Sequence, residues 1–176
     1  TLIEGAPDGL KKLIDELRRD RGDLKITPRD FHSWSRGARF YPLLYMLTRV
    51  HGAVDWEQGI QLRGNLLGRL SSLQLHHIFP KALLYEHGYR KSQVNALANF
   101  TFLTQETNLK VSDRPPAEYL TEYAEKDEAL IASHWIPMDP ELWKLDNYEA
   151  FLEERQKLLA AAANEFLSEL RTGAVP

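Results

Sequence analysis

Two adjacent histidines, His76 and His77, lie in the run SLQLHHIFPKALL, and two asparagines follow, Asn99 and Asn108, with eight residues between them. These residue types suit metal-assisted hydrolysis. An imidazole near its ordinary proton affinity is a good general base at neutral pH, because it is largely unprotonated and still accepts a proton from water. A side-chain amide oxygen suits a hard divalent cation, and it can also fix the tautomer of a neighbouring histidine. One imidazole would hold the cation while the other activates the attacking water. The cation would polarise a phosphoryl oxygen and stabilise the leaving oxygen.

Such groups need a scaffold that presents them. Apolar residues flank the histidines and Pro80 stops a strand from running past them, so both rings are expected at a strand end. Successive strand side chains point to opposite faces, which makes it hard for both to ligate one ion but lets them do two jobs at one site. Asn99 opens a short β-like run, Phe100 to Leu103, and Asn108 falls in a helix-like segment that Thr104 can cap. The implied order is strand, strand, helix. Taken singly, each residue has a plainer reading, as a packed or solvated histidine, a strand-starting asparagine or an exposed helical one. The conjunction of order, spacing and the HIFP context carries the inference.

HHIFP, then Asn99, Asn108, Lys110, Ser112, Asp113 and Pro115, resembles the ββα-metal core of HNH nucleases. More narrowly, HHIFPK with NFTFLT and NLKVSDRPPAEYL resembles the C-terminal nuclease domain of GmrSD-type, modification-dependent restriction endonucleases. The resemblance implies that His76 is the first metal ligand, His77 the general base, Asn99 the residue that orients the base and Asn108 the second metal ligand. The ion would be one divalent cation, Mg2+ or Mn2+. The family often carries an acidic residue where His76 stands, which leaves the ion's charge less compensated here. A lysine that falls at the position of Val111 in the HNH domains of CRISPR effector nucleases has Lys110 as its nearest counterpart. The implied activity is metal-dependent DNA endonuclease, cutting or nicking modified or phage DNA, with an upstream nucleotide-hydrolysing domain in the full-length protein. A catalytically inactive nucleic-acid-binding module and a helical partner-interaction domain are the rival readings.

At 176 residues the chain suits one packed domain, expected to be α+β and predominantly helical, with a ββα-metal core embedded in helices. Helices are expected over 1–72 and 114–176, around the motif at 73–113. The net charge of −3 is unevenly spread. Residues 1–120 hold 17 Lys+Arg against 13 Asp+Glu, and residues 121–176 hold 5 against 12. The basic excess therefore travels with the motif, where phosphates would be met. Absence of cysteine excludes disulfides and cysteine-zinc knuckles. No apolar run is long enough to span a bilayer and no signal peptide is evident, so no membrane partner and a cytoplasmic setting are expected. Because Thr1 is not an initiator methionine, a piece of a larger protein is expected.

Asp8 caps an expected first helix that Gly22 stops, and Thr27-Pro28 with Asp30 starts a second, leading into Phe31 and Trp34. Arg36 and Arg39 precede the core run FYPLLYML, in which Pro42 suits a first helical turn, and a helix end follows near His51 and Gly52. Ile60 to Leu70 is expected to be helical despite two glycines. Lys81, Arg90, Lys91, Lys110 and Arg114 are the candidate DNA contacts. Pro116 opens a helix with Tyr119 and Leu120, His134 and Trp135 read as packing, and the last long helix is amphipathic through Phe151, Leu159 and Phe166.

Overall fold

A two-stranded antiparallel hairpin, β1 (Gln74–His77) and β2 (Phe100–Leu103), forms the only sheet among the described residues, in the register Gln74↔Leu103 to His77↔Phe100. The computed structural model describes residues 25–32, 40–64 and 72–172, with single positions at 12, 15, 16, 19, 20, 66 and 68. The architecture is α+β and predominantly helical. Around the hairpin lie α1 (Tyr41–Val50), α2 (Lys81–Glu86), α3 (Lys91–Val94), α4 (Gln105–Val111), α5 (Pro116–Lys126), α6 (Glu128–Ala132) and α7 (Tyr148–Thr172), joined by short 3-10 turns.

Local chemistry explains most boundaries. Pro42 and Pro116 occupy first helical turns, where a missing N–H costs nothing because no acceptor awaits it. Thr27 caps the 3-10 turn Pro28–Phe31, with Asp30 Oδ2 accepting from Thr27 N at 2.7 Å. Gly52 ends α1 at φ +65, and a Cβ there would stand 2.9 Å from Arg63 Nε. The expected helix from Asp8 to Gly22 falls largely outside the described residues, as do Trp34, Arg36 and Arg39.

The expected helix from Ile60 does not form over the described residues there. Val54 and Gln61 make an isolated antiparallel bridge, Asp55 N donates to Ile60 O at 2.8 Å, and Leu62 N donates to Ala53 O at 2.7 Å. The Asp55 carboxylate overrides helical pattern by accepting from Glu57 N and Gln58 N, which closes a turn that Gly59 completes at φ +63.

One core joins all of this. Phe79 packs on Tyr148 and Phe151 of α7, Phe102 on Tyr41 and Tyr45 of α1, and Trp56 stacks on Tyr119 of α5. Phe79, Phe102 and Phe151, each buried, contribute roughly 1.5–3 kcal/mol apiece, while Tyr41 and Tyr45 are partly buried. The hairpin, which would be marginal alone, is therefore held between α1, α5 and α7. Among the described residues no helix is long and apolar enough to cross a membrane.

Candidate functional site

Pairing sends the two histidines of β1 to opposite sides of the hairpin. His76, opposite Thr101, is buried; His77, opposite Phe100, is half-buried. Strand geometry alone requires the split.

His76 Nδ1 stands 2.9 Å from Asn108 Oδ1. An amide oxygen can only accept, so in this contact Nδ1 carries the proton and donates it. The remaining nitrogen, Nε2, is buried without a hydrogen-bond partner among the described residues, and the ring lies edge-on to Trp56 at 5.9 Å and to Tyr119 at 6.1 Å. Burial pushes the imidazole down to about 4, against the opposing effect of the Asn108 hydrogen bond, and the charge of His77 lowers it further. His76 is therefore neutral at physiological pH, the state a metal ligand needs.

Helix α4 brings Asn108 to this position, and α4 is anchored at both ends. Thr104 caps it by accepting from Thr107 N, and Asp55 accepts from Thr104 N at 3.0 Å and from the Thr107 hydroxyl. Asp55 is fully buried, so the turn at 55–59 and the start of α4 are fastened together. At the other end Ser112 takes φ +50, which ends the helix one turn after Asn108.

His77 Nε2 lies 3.2 Å from Asn95 Oδ1, and its ring packs against Phe100 at 4.3 Å. Burial pushes this imidazole, too, down to about 4, the Asn95 hydrogen bond works in the opposite direction, and nearby Lys81 adds to the lowering. A neutral ring with one free nitrogen is able to accept a proton.

Among the described residues the Asn99 side chain makes no hydrogen bond to either histidine. Its amide is fully buried and braces the turn after His77, with Oδ1 accepting from Phe79 N at 2.8 Å and Nδ2 donating to Phe79 O at 3.1 Å and Val94 O at 3.0 Å. Its backbone carbonyl accepts from Ile78 N at 2.8 Å. Any influence of Asn99 on His77 thus runs through the backbone of residues 78 and 79.

Behind the hairpin lies a polar cluster absent from the sequence-based expectations. His134 donates from Nε2 to Val54 O at 2.9 Å, which leaves Nδ1 to accept from Thr101 Oγ1 at 2.6 Å. Burial lowers this imidazole to about 4. Arg155 of α7, fully buried, donates to Ala98 O and Phe100 O at 2.7 Å each and to His134 O at 3.0 Å. Burial lowers its guanidinium to about 9, so it stays charged at neutral pH, with no carboxylate partner among the described residues.

The basic candidates divide into two groups. Lys110 is paired with Glu57 at 2.5 Å and Arg114 with Glu122 at 2.9 Å. Lys81, whose charge acts on His77, lies at the start of α2, Arg90 and Lys91 lie at the start of α3, and the three make no ion pair among the described residues.

The residues present fit a divalent cation in one respect that can be measured. The 2.9 Å contact brings two neutral side chains of ligating type together at close to the spacing of neighbouring ligands around an ion with bonds of about 2.1 Å, and an ion held there would displace the Nδ1 proton of His76 to the unpartnered Nε2. No group of three His, Cys, Asp or Glu side chains that could hold an ion occurs among the described residues. A groove of about 690 Å³ lies elsewhere, between residues 132–142 and α7, and shares no residue with the histidine pair.

No family model matches the chain, and no solved structure matches it. The chain is similar to an uncharacterized protein of Methanocaldococcus jannaschii, with 27% identity over 124 residues that cover 54% of this chain and 21% of that protein. The chain spans about a fifth of the length of this relative.

Proposed function

We propose that the chain is an HNH-type DNA endonuclease domain that uses one divalent cation, Mg2+ or Mn2+, to hydrolyse phosphodiester bonds. One observation carries the reading. A hairpin and the helix that follows it put an imidazole and an amide oxygen 2.9 Å apart, with a second, neutral imidazole on the next residue of the strand.

His76 and Asn108 would hold the ion. When bound, it supplies polarisation of a phosphoryl oxygen and stabilisation of the leaving oxygen. His77 accepts the proton of the attacking water as its oxygen bonds to phosphorus. Asn99 keeps the turn beyond His77 rigid, which holds the base in place without a hydrogen bond to it. Lys81, Arg90 and Lys91 meet the DNA backbone, and Lys110 and Arg114 contribute once their carboxylate partners yield. A polymer substrate lying across the hairpin needs an accessible base rather than a deep cavity, which accords with a groove located elsewhere.

The cellular role that goes with this reading is restriction of modified or phage DNA in the cytoplasm, with an upstream nucleotide-hydrolysing domain in the full-length protein. Plasmid nicking with Mg2+, Mn2+ or chelator tests it, comparing wild type with His77→Ala. Nicking that needs metal and vanishes in the variant is expected. Unchanged cleavage by His77→Ala would exclude His77 as the base.

A further inference from the structure

Asn95 is not among the residues to which the HNH resemblance assigns a role, and it sits at the end of α3, a helix of four residues. Its amide is oriented by what surrounds it. Nδ2 donates to Lys91 O at 2.8 Å, and a carbonyl oxygen can only accept. Were the amide turned over, Oδ1 would face that carbonyl and two acceptors would be in contact. Oδ1 must therefore face His77 Nε2, 3.2 Å away.

The consequence falls on the imidazole. A neutral histidine carries one ring proton, and a nitrogen facing an amide oxygen must be the one that carries it. His77 then has its proton on Nε2 and its lone pair on Nδ1, which has no hydrogen-bond partner among the described residues. A half-turn of the ring would bring Cε1 to the place of Nε2 and lose the contact with Asn95, and one face of the ring packs against Phe100 at 4.3 Å. The support for Asn95 is itself fixed, because Tyr148 of α7 donates to Gln93 O at 2.9 Å and Asn99 donates to Val94 O at 3.0 Å.

We infer that Asn95 is a positioning residue that holds His77 in the Nε2–H tautomer and so presents Nδ1 as the proton acceptor. The catalytic half of this inference rests on the endonuclease reading; the tautomeric half does not. Nuclear magnetic resonance of the 176-residue chain labelled with 15N in histidine, recorded near pH 8, separates the two. Wild type is expected to show His77 as Nε2–H. Asn95→Ala is expected to give a mixture of tautomers at His77, while His134 keeps its Nε2–H signal and reports an intact fold. Asn95→Asp loses the donor to Lys91 O but retains an oxygen that can face the ring once the carboxylate turns from that carbonyl, and is expected to preserve the wild-type form at His77. In the nicking assay, Asn95→Ala should lower kcat by about 10–100-fold with little change in KM for DNA.

A wild-type His77 protonated on Nδ1, or a tautomer indifferent to Asn95→Ala, would overturn the assignment. If Asn95→Ala fails to fold, the wild-type and Asn95→Asp spectra decide it in the same way. A tautomer that responds as expected in a protein that never nicks DNA would refute the endonuclease reading and leave the positioning role standing. Normal nicking by a variant whose tautomer has changed would refute the catalytic half and leave the tautomeric assignment and the endonuclease reading standing.

Discussion

The two sides of one hairpin treat histidine in opposite ways. On the inner side His76 and His134 are sealed among Trp56, Tyr119 and Thr101, with ring nitrogens either matched to fixed partners or, at His76 Nε2, left without one. On the outer side His77 is half-buried, held by one amide and one phenyl ring, and its Nδ1 has no hydrogen-bond partner among the described residues. All three are lowered to about 4 by burial, so proton affinity does not distinguish them. Access does. His134, buried with both nitrogens engaged, is a structural element, whereas an accessible ring with an unengaged nitrogen can do chemistry.

On the endonuclease reading, removing the outer ring should cut activity and spare the fold. His77→Ala is expected to reduce nicking by about 10²–10⁴-fold, the usual contribution of a general base, with thermal unfolding little changed. Removing the support of the inner side should do the reverse. Arg155→Ala leaves the carbonyls of Ala98, Phe100 and His134 without their donor, and the expected loss is about 3 kcal/mol, read from urea unfolding.

Acid offers a third test. The unfolded state takes up a proton at each histidine near pH 6.5, the folded state only near 4, so stability falls as pH drops through that interval and is regained above it. Each histidine contributes on the order of 3 kcal/mol at most. His134→Gln should flatten the slope of stability against pH between 6.5 and 4 by up to about one proton; an unaltered slope would contradict a neutral, buried His134.

The smallest difference concerns the basic side chains. Lys81→Ala should weaken DNA binding and reduce its salt dependence by about one ion. Lys110→Ala should do less, since Glu57 already holds that ammonium. Fluorescence anisotropy across a salt series distinguishes them, and equal effects would show that the Glu57 pair opens freely.

The parts of this arrangement set by neighbouring residues were legible in the chain. Pro80 ending β1, Thr104 capping α4, the prolines at 42 and 116, and the apolar face of α7 each act within a few positions of themselves. What escaped depends on partners far away. Asp55 resembles a loop acid until Thr104 and Thr107, about fifty positions on, are brought beside it. Arg155 looks like any exposed arginine on an amphipathic helix, and nothing local marks it as buried. Asn95 lies in the connection between the strands and gains its meaning from the ring it faces. The segment from Ile60 misled because a carboxylate turn defeated an apolar spacing that suits a helix.

Arg155 also limits how the molecule can be taken apart. Its guanidinium reaches the carbonyls of residues that precede it by 57, 55 and 21 positions, so the C-terminal helix acts as a bolt through the returning strand. A forty-odd-residue peptide excised around the histidines would lack that bolt and, however faithful its spelling, should behave as a loose coil. Transplanting this chemistry to another scaffold would require carrying the distant cation along with it.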